Sequence, residues 1–135
     1  MQTLQNTSHL PPLLLLSEHA QATLGRIGVE RFHEFSQYPK GWKDGDELGE
    51  PLSYDSLQTL ERFLAKFERF GKFPPSLFFS TSGNLQLAWK TRGENVIELE
   101  FLPNGIAALL PDDDDSRFFS NEHLNRLIEE LESVV

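Results

Sequence analysis

The sequence predicts an α+β fold. It is a two-layer sandwich in the order α-α-β-β-β-β-α, with a four-stranded antiparallel meander and helices on one face of it. Three observations lead there. Between Pro75 and Pro111 the chain breaks into four short apolar or alternating runs, with turn chemistry between them. Residues 53–71 carry one apolar stripe at helical spacing. Capped, helix-periodic segments also lie at either end of the chain, at 17–36 and from Ser120 onward.

Taken in order, residues 1–12 are polar, end in Pro11-Pro12 and are expected to be a flexible tail. Residues 13–135 are expected to form a single domain. Leu13 to Leu16 pack as a staple ahead of Ser17, which is placed to cap a helix with Glu18 in its first turn. Leu24, Ile27, Phe32 and Phe35 approximate its apolar side. Gly25 and Gly28 each weaken it by about 1 kcal/mol relative to Ala, or admit a close neighbour. Tyr38-Pro39 ends it. Residues 37–52, with three glycines and two prolines, read as a long loop without regular structure. Trp42 in that loop needs somewhere to place its ring. The usual role is a plug onto the core, and the alternative is an anchor for a protein partner.

Ser53 is placed to cap the second helix, with Asp55 near its positive end. Leu57, Leu60, Phe63, Leu64, Phe67 and Phe70 form its stripe, Gly71 follows as a C-cap and Pro74-Pro75 prevents continuation. In the meander, Leu85, Leu87 and Trp89 share one face and Ile97, Leu99 and Phe101 extend it, while Glu98 and Glu100 point the other way. Asp112 to Asp115 breaks the last run. Ser120 is placed to cap the final helix, whose stripe is Leu124, Leu127, Ile128 and Leu131.

Composition narrows the function. The 39% hydrophobic content and 11 Phe suffice for a core, and the absence of cysteine removes disulfides, thiolate metal sites and thiol nucleophiles. No run is long enough to span a bilayer and no basic start precedes Leu13, so a cytoplasmic setting is expected. Residues 1–92 hold ten acidic and ten basic side chains, which cancel; residues 93–135 hold eleven acidic against two basic, so the whole excess of −9 lies in the last third. Such a field repels nucleic acid and anionic lipid and favours a basic partner.

Motifs for catalysis are thin. None of the histidines His9, His19, His33 and His123 sits in a nucleophile elbow, and no phosphate-binding glycine loop is present. Asp44 to Asp55 partly follows a calcium-loop template, but Leu48 stands at the fifth position and Asp at the twelfth. Glu98 and Glu100 share a strand face as a metal-dependent hydrolase would require, yet no lysine follows at the next alternate position, Leu102. No catalytic residue, metal ligand or cofactor is therefore assigned.

Gly41-Trp42-Lys43-Asp44-Gly45, Pro51-Leu52-Ser53, Pro74-Pro75, Gly83 to Trp89 and Ile97 to Phe101 together resemble a group of small bacterial and phage proteins of uncharacterised function. The resemblance covers residues 38–106, with Lys43 as an inserted residue. It implies a prokaryotic or phage setting and an α+β fold, and no activity.

The expected function is a non-enzymatic, acidic protein-interaction module of the inhibitor, antitoxin or immunity kind. It would bind a basic protein through residues 93–135, using Glu98, Glu100, Asp112, Asp113, Asp114 and Asp115, with Trp42 as an apolar anchor. The alternatives are a small metal-dependent hydrolase built on the same carboxylates, and a structural module that pairs with a second copy of itself as a homodimer.

Overall fold

The computed structural model describes residues 14–134; the expected tail 1–12 and Leu13 lie outside them. The fold is α+β. In chain order the elements are α1 (Glu18–Phe35), β1 (Trp42–Asp44), β2 (Glu47–Gly49), α2 (Tyr54–Leu64), β3 (Ser76–Phe79), β4 (Leu85–Lys90), β5 (Val96–Leu102), β6 (Gly105–Leu109), β7 (Arg117–Ser120), a 3-10 turn (Asn121–His123) and α3 (Leu124–Glu132). Strands β3 to β7 make one antiparallel sheet in sequential order, and β1 pairs with β2 as a separate hairpin.

The sheet therefore has five strands, not four. The addition is β7, whose Phe118 and Phe119 pair with Ala107 and Ile106. Asp112 to Asp115 turns the chain between two strands and does not end the sheet. The segment 37–52 is likewise not structureless. Its glycines allow a hairpin: Gly45 adopts φ 62 at the first turn position between Asp44 and Glu47, as short hairpin turns require. The same hairpin removes the calcium-loop reading, because Asp44 and Glu47 face each other across a ladder.

The helices keep their expected starts. The Ser17 side chain accepts from the Ala20 N–H and that of Ser53 from the Ser56 N–H. Ser120 makes no side-chain cap bond. Helix α1 is broken at Gly25 (φ 76, ψ 179), where an added Cβ would press on Pro74. The break shifts the helix phase, so Leu24 and Phe32 are buried while Ile27 stands exposed. Helix α2 stops at Leu64 with Ala65 as its cap, well before Gly71. The Lys66 and Phe67 N–H groups both donate to the Phe63 carbonyl. The irregular segment beyond still buries Phe67 and Phe70, whose rings meet Trp89 at 5.9 and 4.8 Å.

One side of the sheet is the core. Leu77, Leu85, Leu87, Trp89, Ile97, Leu99, Phe101, Ile106 and Phe119 point inward and join the stripes of all three described helices. Phe32, Phe63, Phe67 and Phe101 are fully buried, each worth about 1.5–3 kcal/mol over exposure. Two buried hydroxyls tie α2 to β5. Ser56 Oγ donates to the Phe101 carbonyl (2.6 Å) and accepts from the Leu85 N–H (2.8 Å), and Thr59 Oγ1 donates to the Leu102 carbonyl (2.7 Å). Glu61 of α2 receives both the N–H and the hydroxyl of Ser17 at 2.7 Å, which fixes the start of α1. The Phe-rich stripe of α2 is thus buried within the chain's own core.

Candidate functional site: an uncovered acidic sheet face

Among the described residues no helix lies on the opposite face of the sheet. The ladders align Phe78, Gln86, Glu100, Ala107 and Phe118 in one row across β3 to β7. Ser76, Ala88, Glu98 and Leu109 form the next. Alternation dictates this: each is the outward neighbour of a buried core residue. Phe78 and Phe118 stand at the two ends of their row, 44% and 51% exposed. Between them the small side chains of Ala88 and Ala107 leave a shallow cavity of about 240 Å³, which Glu98, Glu100, Leu109 and Ser116 also line.

The two glutamates differ. Glu100 accepts from Asn84 Nδ2 at 3.1 Å and more weakly from Ser80 Oγ at 3.4 Å, so it is held in place. Glu98 is exposed and its carboxylate has no hydrogen bond or ion pair among the described residues.

A second cavity of about 460 Å³ adjoins the first at the β3 edge, and Phe78, Gln86 and Glu98 belong to both. Its far wall is aromatic. Trp42 stacks on Phe79 with ring centres 5.3 Å apart, Tyr38 lies 5.1 Å from Trp42, and Phe35 stacks on the Phe79 ring at 5.3 Å. The hairpin holds Trp42 there. Its indole crosses over its strand partner Gly49, where a Cβ would fall inside the ring, and its Nε1 donates to the Glu50 carbonyl at 2.8 Å. The hairpin itself is moored to the β3–β4 turn, since Thr81 Oγ1 donates to Glu47 and Glu50 N–H donates to the Thr81 carbonyl, both at 2.8 Å. Tyr38 donates to Glu34 Oε1 at 3.0 Å, and that bond, with smaller help from burial and the Glu34 charge, raises its phenol above the ordinary 10.0.

The β3 edge is guarded. Arg31 of α1 donates to the Leu77 carbonyl at 3.1 Å and rests its guanidinium 5.4 Å from the Phe78 ring centre, a common way to blunt an exposed edge.

The aspartate run borders the same face. Ser116, directly after it, lines the first cavity. Asp112, Asp114 and Asp115 are exposed, and Asp112 takes a left-handed φ of 71 that Asp tolerates. Asp113 is different: it accepts from Arg117 Nε at 3.1 Å. Arg117 also bonds Glu130 of α3, and these contacts, Glu130 first, hold its guanidinium charged above its ordinary range. Asp113 is therefore ion-paired, unlike its neighbours.

Of the expected site residues, Glu98, Glu100 and Trp42 line two adjoining cavities, whereas Asp112, Asp113, Asp114 and Asp115 line neither and only Ser116, directly after them, reaches the first. The acidic excess is not one continuous surface, however. Glu129 and Glu132 ride on α3, which packs beside the α2 segment, where Lys66 Nζ donates to Asn125 Oδ1 at 3.2 Å. Sequence reasoning missed Tyr38, Asp44, Phe78 and Gln86 as parts of the site. The available signal was Phe78, an apolar residue that alternation sets on the opposite side of its strand from Leu77 and Phe79.

Among the described residues no three His, Cys, Asp or Glu side chains converge as metal ligands would, and no helix is long and apolar enough to cross a membrane. No family model, curated protein or solved structure matches the chain.

Proposed function

We propose that this chain is a non-enzymatic interaction module of the inhibitor, antitoxin or immunity kind, which takes a basic segment of a partner protein on the uncovered sheet face. The observation that carries this reading is the face itself. It combines an apolar floor, two aromatic ends and central carboxylates, one of them unpaired. Apolar floor and aromatic anchors supply contact energy. The carboxylates, with Asp112, Asp114 and Asp115 exposed in the turn before Ser116, accelerate encounter with a cationic surface and discourage polyanions. Trp42 serves as the anchor at the β3 edge, and the cytoplasm of a bacterium, or of one infected by phage, is the setting.

The test uses the protein captured from a native-host lysate, its affinity then measured for the wild-type chain and for Glu98→Lys combined with Asp114→Lys and Asp115→Lys. The triple reversal should weaken binding at least about tenfold and flatten its salt dependence, since like charges across an interface cost several kcal/mol. Equal affinity in both would remove this face as the binding site.

A further inference from the structure

We propose that the cavity at the β3 edge binds an organic cation, a guanidinium or alkylammonium group, between the rings of Tyr38, Trp42, Phe78 and Phe79 and the carboxylates of Asp44 and Glu98. The proposal deepens the reading above, because a basic partner would deliver such a group on a side chain, but its grounds are its own. Aromatic faces attract cations through their negative quadrupole, most strongly where water is partly excluded. Here those four rings, a fifth from Phe35 and two carboxylates line one space of about 460 Å³.

Neither the Asp44 nor the Glu98 carboxylate has a hydrogen bond or ion pair among the described residues. A neutral apolar occupant would strip water from both without replacing it, at a cost a cation avoids. Glu34 adds further negative charge behind the Tyr38 ring through the 3.0 Å phenol bond. The site is also preorganised. Trp42 is held by Gly49 beneath it and the Glu50 carbonyl at 2.8 Å, so little freedom is lost on binding. The pairing already occurs at the edge of this cavity, where the Arg31 guanidinium rests on Phe78.

The experiment follows the Trp42 indole N–H signal by NMR during titration with choline, with an arginine-containing tripeptide amide, and with 3,3-dimethylbutan-1-ol, the uncharged analogue of choline. A cation should shift the signal saturably, and the neutral alcohol should bind about tenfold more weakly or worse. Asp44→Asn and Glu98→Gln, both at exposed positions, should each weaken cation binding about threefold. Stronger binding of choline assigns the site to small-molecule cations; stronger binding of the tripeptide assigns it to a protein side chain.

Equal binding of alcohol and cations, the absence of a saturable shift with either cation, or indifference to both variants would overturn the proposal. Asp114→Lys with Asp115→Lys lies outside this cavity, and Asp44→Asn outside the aspartate turn. Loss of partner affinity in the first alone leaves the partner reading standing without the pocket; cation binding with unchanged partner affinity does the reverse.

Discussion

At the scale of single residues, Trp42 shows how position is decided by a partner far away in sequence chemistry but opposite in space. A tryptophan in a glycine-rich stretch was legible as a residue seeking contact. Its seat was not, because Gly49 matters only once the hairpin sets it across from the indole. Gly49→Ala should therefore lower stability by about 1–3 kcal/mol through overpacking, read as a lower urea midpoint, and should change the fluorescence of the displaced indole. An unchanged midpoint would mean the ring is not confined there. Tyr38 offers a second check. Its raised phenol pKa comes first from donation to Glu34. A group raised on folding adds stability that is full below its unfolded pKa of about 10 and fades as the pH climbs through the folded value. Glu34→Gln should bring the Tyr38 phenolate transition to lower pH in an absorbance titration; no movement would deny the bond.

At the scale of elements, strands β4 and β5 and the caps Ser17 and Ser53 were legible because alternation and N-capping are local signals. The hairpin β1–β2 and strand β7 were not. Glycines that look like breakers are also hairpin residues, and β7 is four residues long, recognisable only by its pairing with β6. Helix α2 ended early for a related reason: Phe67 and Phe70 keep helical spacing in sequence, yet reach Trp89 from irregular chain. What joins α2 to the sheet was equally hidden, since Ser56 and Thr59 look like ordinary polar helix residues. Ser56→Ala leaves the buried Leu85 N–H without its acceptor and the Phe101 carbonyl without its donor. The expected loss is about 1–3 kcal/mol in chemical denaturation with an unchanged slope; a neutral result would show that the two groups find other partners.

At the scale of the whole molecule, the lopsided charge was plain from the sequence, but its division between layers was not. Helix α3 carries Glu129 and Glu132 away from the sheet face, and Arg117 draws Asp113 and Glu130 together. What remains on the uncovered face is Glu98 and Glu100, with Asp112, Asp114 and Asp115 exposed in the turn that leads to Ser116. Sequence alternation placed the two glutamates together on the face expected to lack helices, and none of the described helices covers it. The most direct measurement is an amide NMR titration of the wild-type chain with a short lysine- and arginine-rich peptide at low salt. Shifts gathered on Ala88, Glu98, Glu100, Ala107 and Ser116, and fading as salt is raised, are the predicted result. Shifts gathered instead on Glu129 and Glu132 of α3, or none at all, would contradict it.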